Sequence, residues 1–186
     1  DGDIFIHSHF NRVTVEIGEN IRSFSLPLPM YLKIIGVLRI FRRALRLDKS
    51  SIALSCDRKS LVITYGGAVY HYCLEMGLLQ KTLELRQCRT VLHMSIASLD
   101  PNIFILGEYG QNREKEDVPI YVSKDGGRNW EISYIFPAGS IRHIHGVYHD
   151  SFTDHLWVPT GDFDGECYLY EFNDSNLIDP VVHGDG

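Results

Sequence analysis

The sequence has no long apolar run. Its 186 residues are 44% hydrophobic, yet no stretch is long enough to cross a bilayer as a helix. It is also short of basic residues: 18 Lys and Arg stand against 24 Asp and Glu, a formal charge of −6. That balance argues against a nucleic-acid-binding surface, which rests on clustered Lys and Arg. Cysteine is scarce and scattered. Cys56, Cys73, Cys88 and Cys167 form no C-x-x-C pair and no Cys/His ligand spacing, so the usual structural zinc sites are not expected. Lone cysteines in apolar, strand-like surroundings read as buried free thiols, and free thiols lean toward a reducing, cytoplasmic compartment. No leader is visible, but the chain opens on Asp1 rather than Met.

What is present is a β-rich repeat. Four segments share one pattern, a β-rich run ending in small or polar residues: Asp3 to His9, Ser60 to Gly66, Asn102 to Glu108, and His155 to Asp162. A turn signal precedes each of the last three, at Asp57-Arg58-Lys59, Asp100-Pro101-Asn102 and Asp150 to Asp154. Ahead of those turns lie further strands, Ser51 to Cys56, Val91 to Ser98 and Ile141 to His149. Behind the shared segments lie Ala68 to Cys73, Pro119 to Ser123 and Cys167 to Phe172. The anchors Ser60, Asn102 and His155 are 42 and 53 residues apart. The longer interval holds a charged insertion, Gly110 to Val118, which reads as a solvated loop. A repeat of this length, built from four short antiparallel strands, suits a propeller blade. Periodicity alone would also suit a sandwich.

One segment departs from the pattern. From Tyr31 to Leu47, Arg39, Arg42, Arg43 and Arg46 fall on one side of a helical wheel, and Ile34, Val37, Leu38, Phe41 and Leu45 on another. This reads as a helical connector, 31–47, packed through its apolar side, or as a basic amphipathic helix for a membrane or an acidic partner. The blades then divide the chain at about 1–47, 48–88, 89–137 and 138–186, the last incomplete, in one all-β domain.

Residues 123 to 130, Ser-Lys-Asp-Gly-Gly-Arg-Asn-Trp, satisfy every fixed position of S-x-D-x-G-x-x-W. The Asp can accept backbone N–H groups across a tight turn, the glycines supply positive φ, and Trp130 can bury its ring against a neighbouring hairpin. Glu19 and Phe24 repeat only the Asp and Trp spacing. On this motif, and on the stretches from Val118 to Gly146 and from Leu156 to Asp162, the chain resembles the BNR or Asp-box repeat propellers, sialidase-like and often labelled glycosyl hydrolase-like. The resemblance implies an all-β propeller of four-stranded antiparallel blades, about three and a half of them present. Relatives would close about six or seven, so the remaining blades would come from further sequence or a second chain. It also implies a glycan-directed protein, either glycosidase- or lyase-like or carbohydrate-binding. A non-catalytic protein-interaction scaffold is the alternative. In that group Ser123, Asp125, Gly127 and Trp130 would be structural.

Sialidases of that group bind a substrate carboxylate with three arginines, and that set does not transfer here. The repeat suggests another site. Glu108 and Asp162 end equivalent strands, so they should share a rim, and His143 and His145 alternate along the expected innermost strand. These four are the candidate catalytic residues, suited to acid–base work, to a divalent cation or to a sugar. Arg142, Tyr109 and His149 are candidate substrate-binding residues. The spacing assigns no cofactor and no metal; Asp162-x-Asp164-Gly165 is too short for a calcium loop.

Overall fold

Short apolar runs separated by Asp, Gly and Asn turns favour antiparallel meanders over any other arrangement. The computed structural model describes residues 3–173 and 176–183. It divides into two compact units, Asp1–Ser50 and Ser51–Gly186.

In the first unit β1 (Ile4–His9), β2 (Arg12–Ile17) and β3 (Asn20–Ser25) form a three-stranded antiparallel sheet in that order. Val13 and Val15 alternate inward and are fully buried. Between them Thr14 faces away and its hydroxyl meets that of Ser23 at 2.9 Å. The segment read as one helix is two, α1 (Met30–Gly36) and α2 (Arg39–Ala44). The break has a local cause. Leu38 takes an extended conformation (φ −81°, ψ 118°), and Gly36 ends α1 where the Phe10 ring approaches too closely for any side chain. In this segment Ile34, Val37, Leu38 and Phe41 are all exposed. Arg42 is instead held by Asp48, Nε to Oδ1 at 2.9 Å, and lies 5.8 Å from the Phe10 ring centroid.

The second unit holds three four-stranded antiparallel sheets, each a meander in chain order. The first comprises β4 (Ser51–Leu54), β5 (Ser60–Tyr65), β6 (Ala68–Cys73) and β7 (Leu78–Glu84). The second comprises β8 (Ile96–Ser98), β9 (Phe104–Gly107), β10 (Val118–Ser123) and β11 (Glu131–Phe136). The third comprises β12 (Tyr148–Asp150), β13 (His155–Thr160), β14 (Tyr168–Asn173) and β15 (Asn176–His183). The leading strand β8 of the middle sheet lies beside both β4 and β12. The last sheet therefore has four strands where an incomplete one was expected, and the three-stranded sheet is the first of the chain. Strand β15 escapes sequence reading because Pro180 cannot donate to a ladder. It is tolerated here on an edge strand, opposite Tyr170 at an irregularity in the β14–β15 register. The leading strands are also shorter than expected. Residues 91–95 and 141–147 are largely irregular, and only Ile144 forms an isolated bridge, with Thr160.

The turn between the first and second strands repeats one chemistry in all three sheets. A carboxylate accepts the N–H two residues on: Asp57 from Lys59 at 3.1 Å, Asp100 from Asn102 at 2.6 Å, and Asp150 from Phe152 at 3.0 Å. The middle sheet buries both faces by strand alternation. Phe104, Leu106 and Tyr121 pack with Val62 and Val69 on one side of the middle sheet. On its other side Ile105, Ile120 and Val122 pack with Ile144, Val147, Leu156 and Val158. Each such side chain stabilises the fold by about 1.5–3 kcal/mol on burial. All four cysteines are free, but only Cys88 is buried and Cys56 is exposed, so the expectation of uniformly buried thiols fails. Burial, with the nearby Glu108 carboxylate, pushes the Cys88 thiol up to about 12.

The hairpin at 123–130 joins β10 to β11 and ties two sheets together. The Ser123 hydroxyl donates to Asp125 Oδ1 at 2.9 Å and accepts the Gly127 N–H at 2.8 Å. Asp125 Oδ1 also accepts the Arg128 and Asn129 N–H groups at 3.1 and 2.8 Å. Trp130 Nε1 donates to Thr82 Oγ1 at 3.1 Å, on β7 of the preceding sheet. Gly127, at φ +89°, packs against the Val62 side chain of the same sheet.

Candidate functional site

The site lies where the segment before β12 passes the end of β13. The backbone fixes it there: the Ile144 N–H donates to Glu108 O at 2.9 Å, His145 N–H to Pro159 O at 2.9 Å, and Gly161 N–H to His143 O at 3.1 Å. This locally extended run sends Ile144 into the core and His143 and His145 to the opposite side. The two histidines are thus on one face, as their alternation suggested, although they lie outside β12.

Among the described residues, His143, His145 and Asp162 come together, each offering a ligand atom within 4.8 Å of the others. His143 Nε2 is 3.3 Å from Asp162 Oδ2, and His145 Nε2 is 3.2 Å from Asp162 Oδ1. The two imidazoles are perpendicular, with centroids 4.9 Å apart. Tyr109 meets the His143 ring edge-on at 4.5 Å and the His145 ring at 5.6 Å. His143 is 4% exposed, His145 is half-buried and Asp162 is exposed, so the cluster opens to solvent on the carboxylate side. Two backbone carbonyls orient the rings. His143 Nδ1 lies 2.9 Å from Gly110 O and His145 Nε2 lies 2.9 Å from Gly161 O. A carbonyl only accepts, so the proton of His143 sits on Nδ1. Its buried Nε2 then has a free lone pair and no hydrogen-bond partner. Burial lowers the His143 pKa, and the Asp162 charge only partly opposes this, so the ring is neutral at pH 7.

Glu108 is not part of this cluster. It is 1% exposed and lies in the core beside β10. Its Oε1 accepts the Arg86 N–H and the Tyr121 hydroxyl, both at 2.8 Å, and its Oε2 accepts the Gln87 N–H at 2.6 Å. Burial, then the Glu108 charge, pushes the Tyr121 hydroxyl well above its ordinary value. Glu108 therefore pins the connector after β7. His149 lies elsewhere too, its Nε2 on Asp154 Oδ1 at 2.9 Å in the β12–β13 turn. Arg142 points away from its neighbour His143: its Nε is 3.5 Å from Glu166 Oε1, and its guanidinium lies 4.3 Å from the Phe163 ring centroid.

Sequence reasoning missed Glu166, which is fully buried and accepts the Arg142 N–H at 2.7 Å. It does for the connector after β11 what Glu108 does for the connector after β7. The parallel is hidden because Glu108 follows the second strand of its sheet and Glu166 precedes the third. The insertion 110–118 is largely solvated, with Gln111, Arg113, Glu114 and Glu116 exposed, yet it is anchored at several points. Arg86 binds Asp117 at 2.9 and 3.2 Å, Lys115 Nζ is 3.7 Å from Glu166 Oε1, and Gly110 O receives His143. Gly110 itself abuts the Gln87 backbone, so its place is tightly set.

No model of a known protein family matches the chain, and no curated protein is found to match it.

Proposed function

We propose that this chain forms blades of an Asp-box β-propeller that binds carbohydrate at the rim carrying Tyr109, His143, His145 and Asp162, without turning it over. Three successive four-stranded meanders with adjacent leading strands, shared cores and the same Asp turn support the propeller reading. The Asp-box hairpin between β10 and β11 supports the family resemblance.

The observation that carries the choice of binding over hydrolysis is the burial of Glu108. Two-carboxylate glycosidases need an acid and a base about 5–10 Å apart across the scissile bond, both able to reach it. Here Glu108 is 1% exposed and both its oxygens are engaged, by two backbone N–H groups and a tyrosine hydroxyl. Asp162 is left as the single accessible carboxylate of the pair. One carboxylate, two imidazoles and an aromatic face supply the hydrogen bonds and the apolar stacking surface that a sugar ring takes.

A glycan array followed by calorimetry on the full-length protein tests this. Binding without hydrolysis or elimination products is expected, with affinity lost in Tyr109→Ala and Asp162→Asn. An array without hits counts against the reading. Turnover that survives Glu108→Gln would replace it with an enzyme that uses Asp162 and a histidine.

A further inference from the structure

We propose that His143, His145 and Asp162 form a binding site for a divalent metal of the zinc class, with coordination positions left open to solvent. The inference does not rest on the carbohydrate reading, since it is tested with metal alone.

Three observations carry it. The first is spacing. A metal with bonds of about 2.1 Å holds neighbouring donor atoms about 3.0–3.4 Å apart. The two His–Asp edges measure 3.3 and 3.2 Å. All three donors lie within 4.8 Å of one another.

The second is His143 itself. Its Nδ1–H is committed to Gly110 O at 2.9 Å, which leaves Nε2 as an acceptor. That nitrogen is buried, aimed at the cluster, and has no hydrogen-bond partner. A buried acceptor left unmet carries a desolvation cost that a bound cation removes. A ring nitrogen fixed on a backbone carbonyl so that the other faces a ligand is also how metal-binding histidines are held in place.

The third is the donor set and its surroundings. Two imidazoles and one carboxylate are borderline ligands. They suit zinc, cobalt, iron or manganese in preference to calcium or magnesium, which take mostly oxygen. His143 and His145 are presented by one run whose backbone is bonded on both sides, to Glu108 O and to Pro159 O, so the backbone that carries two of the three donors is fixed. In the metal-free chain His145 Nε2 carries the proton that it gives to Gly161 O. Metal binding moves that proton to Nδ1, so Nε2 becomes a donor to the metal. The exposed face of Asp162 leaves room for water or an oxygen-bearing ligand to complete the shell.

The test uses untagged full chain, stripped with chelator, and zinc titrated against a chromophoric competitor. One equivalent is expected to bind. His145→Ala and Asp162→Ala should each weaken it by about 100-fold, and His149→Ala, on β12, should leave it unchanged. His143 is spared because its ring is buried and its loss would confuse folding with binding. Cobalt in place of zinc should give visible d–d bands that vanish in the same two variants. No stoichiometric zinc, or zinc held equally by wild type and both variants, overturns the proposal.

Discussion

Asp125 does by itself most of the work that the eight-residue hairpin requires. Its Oδ1 accepts two successive backbone N–H groups and the Ser123 hydroxyl, and its Oδ2 accepts the Asn129 side-chain amide at 2.7 Å. Partial burial pushes the carboxyl pKa up. The Asn129 backbone and side chain, the Ser123 hydroxyl and the Arg128 N–H outweigh it and hold the pKa below its ordinary value. The sign of the pH effect follows. The stabilisation is complete above the unfolded pKa of about 4 and is lost as pH falls through the lower folded value. Asp125→Ala should therefore cost about 2 kcal/mol at neutral pH. That gap should stay level down to about pH 4 and close below it, as read from urea midpoints of both proteins over the range. A gap that persisted unchanged in acid would mean that the carboxylate's charge is not what holds the turn.

At the scale of the hairpin, conformation and packing can be separated by two glycines. Gly127 has φ +89° and Gly139 has φ +88°, but a methyl group on Gly127 would run into Val62, whereas one on Gly139 meets nothing within 4 Å. Gly139→Ala should cost about 1 kcal/mol, the strain of a positive φ alone. Gly127→Ala should cost about 3 kcal/mol, because it also forces the hairpin off the neighbouring sheet. Equal losses in thermal melts would show that the hairpin does not clamp that sheet. These two positions also show what was legible from the residues. The hairpin was readable because its geometry is made by contacts within eight residues, and the Asp turns at 57, 100 and 150 were readable for the same reason. Glu108 was misplaced because strand-end spacing locates a residue along a chain but does not say whether its carboxylate turns outward or finds two N–H groups inside. Glu166 was missed because its partner, the Arg142 N–H, is 24 residues away. His143, His145 and Asp162 could be paired from alternation and repeat position, whereas the carbonyls of Gly110 and Gly161 that orient the rings carry no sequence signal.

For the molecule as a whole, the question is where cooperativity resides. Both apolar clusters described above, and every backbone bond that fixes the candidate site, draw only on residues after Ser51. The middle sheet is buried on both faces by its neighbours in that unit, so melting any one sheet exposes the core of another. The second unit, residues 51–186, should therefore fold without the first, in a single transition. Expressed alone, it should keep the β-sheet circular dichroism of the full chain and the one-equivalent zinc stoichiometry argued above. The outcome against this is specific: a fragment that binds ANS, lacks a near-ultraviolet signal and melts without a sharp midpoint has lost fixed packing. Such a fragment would show that residues 1–50 take part in the fold of the second unit. Retained folding with lost zinc binding would place the error in the metal assignment, because all three proposed ligands lie inside the fragment.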